Sequence, residues 1–398
     1  MRLYNSLLTN YILDIIVRHF EDNLINIYKY TFEKDMISTI KNYFDIDDID
    51  EVSRNYIIKH LDKALSIYYL YYMPKRSFKN NRSVNIPNVC KIEKKINEIK
   101  EKPQPDQRTE EWYRFRYDLI TASNAYKIFG TQSKKNEIIC EKCADLTTRS
   151  NQIVNLDSPM HWGVRYEPLS VMYYEYYYST KVEDFGCIQH SEYKFLGASP
   201  DGIVVNNTSK LFGRMLEIKN PKSRTITGIP KDEYWIQMQL QMEVCNLNYC
   251  DFLETKFIEY DNYNRFIEDG SFHLSKSGHH KGVILHFVKD QKSYYFYPEF
   301  NCGERYFKGW EEDTLLLKDY EGYEWIQNIY WKLEHVSCVL VLRNKQWFNK
   351  AIVGIADIWN IIEKERIDKT WVERKAKKIV KKRPVLPKTK PLIINIHI

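Results

Sequence analysis

The chain lacks the features that mark secreted and membrane-inserted proteins. Its eight cysteines are scattered over 398 residues without the regular framework of a small disulfide-bonded domain, which predicts a reduced, intracellular protein. No apolar run reaches the length of a membrane span, and charged residues interrupt the N-terminal segment where a signal peptide needs an apolar core. We therefore expect a soluble protein with no membrane partner.

Two further absences concern metal centres and net charge. Cys140 and Cys143 form one CxxC pair, but no second pair follows at suitable spacing, so neither a zinc site nor an iron–sulfur cluster is predicted. Basic residues outnumber acidic ones by only 59 to 53. The excess is local, because ten Lys or Arg lie between Lys369 and Lys390 against the single acid Glu373. Such a stretch can contact a DNA backbone, act as a nuclear-import signal or form a solvated tail, and all three interpretations stay open.

The length suits a core domain with accessory regions. Apolar residues recur at helical spacing near the N-terminus, and a polar, proline-broken segment follows in which one short helix is predicted near 91–100. Farther on, strands are predicted at 250–257 and 282–287, and mostly helices at 303–365. The predicted organisation is a helical accessory region at 1–73, a linker at 74–105, a core domain at 106–365 that ends in a sheet and helix extension, and a basic tail at 366–398.

Tyrosine is abundant, with 31 residues and clusters at 68–72, 173–178 and 294–297. Exposed tyrosine rings can stack on unpaired bases. Buried tyrosines also pack well between helices, and core packing is the favoured interpretation of these clusters.

Ser199-Pro200-Asp201-Gly202 and Glu217-Ile218-Lys219 are the most informative segments. Alternate residues of a strand share a face, so Glu217 and Lys219 project together while Ile218 points into the core. Asp201 lies at a tight turn, and a hairpin back into 214–219 would bring its carboxylate beside Glu217. Hard oxygen ligands of this kind suit Mg²⁺ or Mn²⁺, and Lys219 would hold or help deprotonate a water. The alternative is an ordinary turn and an ordinary half-exposed strand, each of which is common.

Two segments that flank these motifs contain further candidate site residues. Glu167 is predicted in the first turn of a helix that begins near Pro168, where its carboxylate can bind a metal or water or merely complement the helix dipole. A second helix over 234–243 places Gln237 and Gln241 on one face. Glutamines there can position water or phosphate, although the same pattern suits a plain amphipathic helix.

The order of these motifs resembles the lambda-type exonuclease or YqaJ-like viral recombinase family of the PD-(D/E)XK nuclease superfamily. Arg108-Thr109-Glu110-Glu111-Trp112, Arg116 and Ile120-Thr121-Ala122-Ser123 resemble the family's opening segment. Trp162-Gly163 through Glu167, the two signature segments and Gln237-Met238-Gln239 follow in the family's order. The resemblance covers roughly residues 105–260.

The resemblance implies roles for individual residues. Asp201, Glu217 and the Ile218 carbonyl would bind metal, with Glu167 as the acidic residue of the preceding helix and Gln237 as the site glutamine. Lys219 would assist the nucleophilic water, and a two-metal Mg²⁺ site with Mn²⁺ as substitute is expected. Arg116 and Ser123 would bind the 5′-phosphate at a DNA end, a role that suits the planar guanidinium of Arg116. From the residues alone, Arg116 can equally be a surface partner of Glu110 or Glu111.

The fold class that the resemblance implies is α/β, with a restriction-endonuclease-like core in which helices flank a central mixed sheet. The implied function is a metal-dependent deoxyribonuclease, a 5′→3′ exonuclease that acts on duplex DNA ends in viral recombination, repair or replication. The alternatives are a structure-specific endonuclease of the same fold and a non-catalytic DNA-binding recombination protein. A single-strand annealing protein and further copies of the chain are possible partners, and the host cytoplasm or nucleus is the expected location.

Overall fold

A computed structural model of the chain describes residues 2–79, 88–105, 109–146 and 158–376. The helices in these ranges are α1 Arg2–Asp22, α2 Phe32–Tyr43, α3 Glu51–Tyr71, α4 Val89–Lys100, α5 Glu110–Tyr117, α6 Ala122–Ala125, α7 Gln132–Cys143, α8 Pro159–Tyr178, α9 Asp232–Val244, α10 Tyr263–Glu268, α11 Glu304–Tyr320, α12 Lys345–Asp368 and α13 Trp371–Ala376. The strands are β1 Ile120–Thr121, β2 Val182–Glu183, β3 Ile188–Gln189, β4 Leu196–Ala198, β5 Gly202–Val204, β6 Met215–Lys219, β7 Tyr249–Glu259, β8 Lys281–Lys289, β9 Lys292–Phe296 and β10 Glu324–Leu342.

The N-terminal helices form as their apolar spacing predicts. α3 begins where the Asp50 side chain accepts hydrogen bonds from the backbone N–H groups of Val52 and Ser53, which satisfies donors that the first turn leaves unpaired. Buried apolar side chains of α1, α2 and α3 belong to the same cluster as those of α9 and α12. The helical region therefore shares its hydrophobic core with the rest of the protein.

The main sheet has seven strands in the order β2-β5-β6-β7-β10-β8-β9. Only β6 and β7 pair in parallel, and the other neighbours are antiparallel. A smaller sheet has the order β1-β4-β3, in which β1 and β4 are parallel. Both sheets are mixed, as the α/β prediction requires.

Helices cover both faces of the main sheet near β6. Leu216 and Ile218 pack with Tyr174 of α8, whereas Met215 lies in the cluster that contains Trp235 and Met238 of α9. Alternation along β6 thus directs Glu217 toward α9. The prediction of a central mixed sheet flanked by helices, with a helical N-terminal region, is confirmed.

The prediction for the C-terminal part is right in outline but missed a strand. Residues 303–365 are mostly helical, in α11 and α12, but β10 occupies Glu324–Leu342 between them and pairs with both β7 and β8. Ile329, Trp331 and Leu333 are buried at alternate positions, which is the period of a strand. The strand is long and central, so it joins the two halves of the sheet.

Other predicted segments have mixed outcomes. The short helix of the linker is present as α4, and the predicted strands lie within β7 and β8. The proposed domain start at 106, Arg108 and residues 377–398 of the basic tail lie outside the described residues. Within the described part of that tail, Arg374 donates to Asn136 Oδ1 at 2.7 Å and pairs with Glu365. No described helix combines the length and the apolarity needed to cross a bilayer.

Candidate active site

The hairpin β5–β6 brings Asp201 to the middle of β6. Gly202 pairs with Leu216, and the Asp201 amide donates to the Leu216 carbonyl at 3.1 Å. A Cβ atom on Gly202 would lie 2.2 Å from Cγ1 of Val182, so glycine lets the neighbouring strand β2 approach. The Ile218 N–H donates to Asp201 Oδ2 at 2.6 Å. The predicted hairpin thus fixes the Asp201 carboxylate against the Glu217-Ile218-Lys219 segment.

Glu217 and Lys219 project from the same face of β6, as the strand period predicts. The Glu217 side chain is fully buried, and the Lys219 side chain is 25% exposed. Lys219 Nζ forms an ion pair with Glu217 Oε1 and lies 5.2 Å from the ring centroid of Tyr234. The ammonium is therefore held between a carboxylate and an aromatic face at the edge of solvent.

Two glutamines of α9 complete the surroundings of Glu217. Gln237 Nε2 and Gln241 Nε2 donate to Glu217 Oε2 at 2.9 and 2.7 Å. Gln241 Nε2 also donates to the Ser199 carbonyl at 3.1 Å, which ties α9 to the Ser199-Pro200-Asp201-Gly202 segment. The residues are one turn apart, so the helix presents both amides to the same carboxylate. We call Asp201, Glu217, Lys219, Gln237 and Gln241 the site cluster.

The electrostatics of the site cluster are dominated by crowded carboxylates. Burial and the negative charge of Glu217 raise the pKa of Asp201 well above its usual value, Glu167 adds to this, and Lys219 opposes it. Burial lowers the pKa of Lys219, but the charges of Glu217 and Asp201 outweigh burial and raise it above 10.5. Lys219 is consequently protonated at neutral pH. One ammonium faces two carboxylates with a third nearby, which is a local excess of negative charge.

Glu167 does not lie in the first turn of a helix. α8 begins at Pro159 after the N-cap Ser158, whose side chain accepts from the His161 N–H, and Pro168 lies inside the helix. Proline is well suited to the first helical position, so Ser158-Pro159 starts α8 earlier than predicted. Glu167 is exposed in mid-helix, where it cannot complement the helix N-terminus, and its charge reaches Asp201.

Arg116 lies beside the turn that carries Asp201. Its Nη1 is 3.5 Å from Ser199 Oγ, and its guanidinium stacks 4.4 Å from the ring centroid of Trp112. Glu110 instead pairs with Arg114. Ser123 is exposed and its hydroxyl lies 3.3 Å from Thr121 Oγ1.

The small sheet relates Ser123 to this turn. Thr121 pairs with Gly197 in the parallel strands β1 and β4. Ser123 and Ser199 each follow two residues later, so both leave the sheet at the same end. Ser123 and Ser199 therefore lie at the same end of the small sheet, and Ser199 is within reach of Arg116.

The donor set fits a divalent cation bound by oxygen. Asp201 and Glu217 supply adjacent carboxylates, and the Ile218 carbonyl lies between Glu217 and Lys219 in the chain. Oxygen ligands of these kinds are the ones that a hard cation prefers. Gln241 Oε1 is buried and has no hydrogen-bond partner among the described residues. Within the described ranges, no three His, Cys, Asp or Glu side chains form a metal-binding group. Glu167 therefore does not form such a trio with Asp201 and Glu217, and a cation would take its other ligands from carbonyl oxygen or water.

From the sequence, Gln241 is only one of two glutamines that can position water or phosphate, and no role is predicted for Ser199. In the structure Gln241 donates to Glu217 and to the Ser199 carbonyl. The signal for Gln241 was its four-residue spacing from Gln237, which places two amides on one helix face. For the Ser199 carbonyl, no sequence signal exists, because every residue carries a backbone oxygen. Contact with Gln241 depends on how α9 packs against the turn.

Comparisons with known proteins agree with the motif order. Residues 111–248 match the family model of the YqaJ-like viral recombinase domain. An uncharacterized protein of Acanthamoeba polyphaga mimivirus, R354, is 29% identical over 327 residues, which cover 73% of this chain and 57% of the relative. The chain thus spans a little over half the length of that relative.

Two solved exonuclease structures resemble the chain. The alkaline exonuclease of Laribacter hongkongensis is 20% identical, covers 68% of this chain and all of its own, and has a TM-score of 0.39. A phage-related exonuclease from Haemophilus somnus is 11% identical, with coverage of 63% and 96% and a TM-score of 0.36. The family match, together with the ordered motifs and the geometry around Glu217, confirms the resemblance inferred from sequence. Residues 111–248 of this chain are similar to the YqaJ-like viral recombinase domain family.

Proposed function

We propose that this protein is a metal-dependent deoxyribonuclease that degrades one strand of duplex DNA from its 5′ end. One observation carries the proposal: β6 and the Asp201 turn bring two carboxylates and a protonated Lys219 to one point beside α9. Such an arrangement suits phosphodiester hydrolysis, because carboxylates can hold a divalent cation and positive charge at the site offsets the charge of the phosphate. The structural relatives named above are described as exonucleases, which is consistent with this chemistry.

Each residue of the site has a distinct task in the proposal. Asp201, Glu217 and the Ile218 carbonyl would hold Mg²⁺, with Mn²⁺ able to substitute and a second metal ion expected near Glu167. A bound divalent cation would polarise the scissile phosphate and lower the pKa of the attacking water. Lys219 donates a hydrogen bond to that water and balances charge on the phosphate. Since Lys219 is protonated, holding the water is the favoured role over removing its proton.

The two glutamines keep Glu217 in place. Both donate to Oε2 while Lys219 occupies Oε1, so the carboxylate cannot rotate without losing a bond. A fixed carboxylate defines where the cation and water lie, and precise placement accounts for much of catalysis. Gln237 and Gln241 are therefore positioning residues.

The preference for DNA ends rests on Arg116 and Ser123. We expect Arg116 to bind a terminal 5′-phosphate through its planar guanidinium, with the Ser123 hydroxyl as a second donor. Ser199 already lies within reach of Arg116, so the phosphate would sit next to the Asp201 turn. This contact would favour duplex ends over internal sites. A single-strand annealing partner, assembly into a homo-oligomer and a host cytoplasmic or nuclear location stay predictions.

End-labelled linear duplex tests the proposal. Wild type and Lys219→Ala are incubated with Mg²⁺, with Mn²⁺ or with chelator, and Lys364→Ala on the exposed face of α12 serves as the matched control. We expect metal-dependent release of nucleotides from the 5′ end by wild type and by the control, and none by Lys219→Ala. Equal activity of Lys219→Ala, or no activity of wild type with any metal, would contradict the assignment.

Two further substrates separate the alternatives. Duplex with a 5′-hydroxyl should be cut more slowly than duplex with a 5′-phosphate, and Arg116→Ala should remove that difference. Closed circular DNA should stay intact. Rapid cleavage of the circle would instead indicate an endonuclease, and tight binding of all substrates without cleavage would indicate a non-catalytic DNA-binding protein.

A further inference from the structure

A groove of about 490 Å³ lies where the end of α3 meets the last residues of β10 and the first of β7. It is separate from the site cluster. Tyr249 opens β7, whereas Glu217 is in register with Phe252, three residues or about 10 Å farther along the strand. The groove therefore lies at the opposite end of the strands from Lys219. Its lining includes Tyr69, Tyr71, Tyr72, Tyr249, Arg343 and Lys345.

Exposed aromatic rings line one side of this groove. Tyr71 and Tyr72 are 75% and 50% exposed, whereas Tyr68 in the same cluster is buried. Tyr72 stacks on Tyr68 with the rings nearly parallel, at an interplanar angle of 3° and 5.5 Å between centroids. Core packing thus explains Tyr68 but not Tyr71 or the open part of Tyr72. A planar ring that enters the groove can extend the stack that Tyr68 and Tyr72 begin.

Basic side chains border the groove. Lys95 Nζ donates to the Asn246 carbonyl at 2.6 Å and Arg343 Nη1 donates to Asn246 Oδ1 at 2.9 Å, so these two cations lie close together. Burial lowers the pKa of Lys95, and the positive charges of Arg343, Lys345 and Lys91 lower it further. Lys75 lies 5.4 Å from the ring centroid of Tyr69, which lines the groove.

Acidic groups are fewer along this border. Glu243 is held by the guanidinium of Arg343, Glu33 accepts from the Tyr69 hydroxyl, and Glu98 partly offsets the charge near Lys95. Lys345 is exposed at the start of α12. A surplus of positive charge therefore lies beside the exposed rings.

We propose that this groove binds unpaired nucleotides of a DNA strand, with bases stacked on Tyr71 and Tyr72 and phosphates beside Lys345. Aromatic faces next to cations are the combination that binds single strands without regard to sequence. The volume suits a ligand of one or two nucleotides. The choice of DNA rests on the proposed nuclease function, since an exonuclease leaves single strands next to its site.

Binding is measured in chelator so that cleavage plays no part. The full chain is titrated into a fluorescent thymidine oligonucleotide of about 12 nucleotides, and fluorescence anisotropy reports the dissociation constant. Replacing both Tyr71 and Tyr72 with Ala should weaken binding roughly tenfold or more, whereas replacing both with Phe should retain it. Tyr320→Ala, at a 91% exposed ring on α11, is the control and should bind as wild type does.

Two single lysine variants test whether the basic residues beside the groove contribute to binding. Lys345→Ala should weaken binding about threefold and reduce its salt dependence by about one counterion. Lys364→Ala lies on the same helix and should change neither. Thermal unfolding of each variant checks that the fold is intact.

The outcomes separate this proposal from the nuclease function. Loss of binding in the Ala double variant with retention in the Phe variant supports the groove, whether or not the wild type cleaves duplex. Unchanged binding in a folded Ala double variant overturns it, even where the wild type is an active nuclease. Equal losses in the Tyr320→Ala control would also overturn it, because the effect would then be unspecific.

Discussion

Two polar clusters lie beside the parallel strands β6 and β7 and differ in how their charges balance. In the first, Arg214 Nη1 contacts both carboxylate oxygens of Asp251 at 3.1 and 3.3 Å, and the Tyr174 hydroxyl donates to Asp251 Oδ2 at 2.7 Å. We call these three residues the Arg214 cluster. Arg214 is 4% exposed and Asp251 is fully buried, so one cation meets one anion out of contact with water.

The site cluster is unbalanced by comparison. Two carboxylates share the single ammonium of Lys219, and the pKa of Asp201 is raised by burial and by Glu217. A buried charge is tolerated when it is paired and hydrogen-bonded. The Arg214 cluster meets that condition with its own residues, whereas the site cluster would meet it only when a cation from solution joins it. Matched charge therefore indicates a structural role, and unmatched charge indicates a binding role.

The largest expected effect comes from the same substitution made in both clusters. Asp251→Asn leaves Arg214 buried without its counter-charge, and we expect the free energy of unfolding to fall by about 3 to 5 kcal/mol. Asp201→Asn removes a carboxylate that other carboxylates repel, so in chelator stability should rise by about 1 kcal/mol. Urea denaturation at neutral pH measures both changes. A similar decrease in the free energy of unfolding of both variants would contradict the distinction between the clusters.

The same two substitutions should affect the rate of cleavage in the opposite order to their effects on stability. Asp201→Asn should lower the rate of duplex degradation about a thousandfold, because the carboxylate proposed to bind metal is lost. The folded fraction of Asp251→Asn should keep its rate within a few fold. Single-turnover degradation of end-labelled duplex, corrected for folded protein, gives the two rates. A thousandfold loss in Asp251→Asn would show that the Arg214 cluster takes part in catalysis.

His286 sharpens the comparison because it is buried and the charged groups that shift its pKa, among the described residues, are all positive. Burial, with Arg165 and His161 nearby, lowers the pKa of His286 to about 4. The unfolded state then binds one more proton than the native state between about pH 6.5 and 4, so stability should fall by about 3 kcal/mol as the pH falls through this window. His286→Phe cannot titrate and should lack this part of the pH dependence. Parallel curves for the two proteins would contradict the prediction.

Metal ions should stabilise one cluster and not the other. With Mg²⁺ at about a hundred times its dissociation constant, binding to the native state adds about 2.7 kcal/mol to the free energy of unfolding. We expect this gain in wild type and little of it in Asp201→Asn. Thermal unfolding with Mg²⁺ and with chelator measures it. An equal gain in both proteins would locate the Mg²⁺ site elsewhere.

The smallest effect concerns two glutamines of α9. Gln241→Leu removes a donor to Glu217 and to the Ser199 carbonyl, and cleavage should slow about tenfold, as expected for one lost hydrogen bond to a charged group. Gln239 bonds instead to the Leu342 carbonyl and the Asn344 N–H. Gln239→Leu should therefore lower the free energy of unfolding and leave the cleavage rate of the folded protein unchanged. Equal rates for the two variants would remove the positioning role of Gln241.

Local patterns in the sequence determined the elements that carry the site. The two-residue alternation in β6 predicted that Glu217 and Lys219 share a face, and the four-residue spacing in α9 predicted that Gln237 and Gln241 do. Each pattern can be recognised within one short segment of sequence, because the periods of strands and helices depend on residues two to four positions apart. The order of the motifs likewise predicted the family without reference to coordinates.

Tertiary structure decided which segments meet. The ion pair between Arg214 and Asp251 joins residues 37 positions apart, and nothing near either residue predicts the other. Their contact follows from the register of β6 and β7, in which Met215 pairs with Cys250. The placement of Glu167 in mid-helix was missed for a local reason, because Ser158-Pro159 is itself a signal for a helix start. The strand β10 was missed for a tertiary reason. Its pairing with β7 and β8 outweighed the local signals, because burial and hydrogen bonding of a whole element exceed the small preferences of single residues.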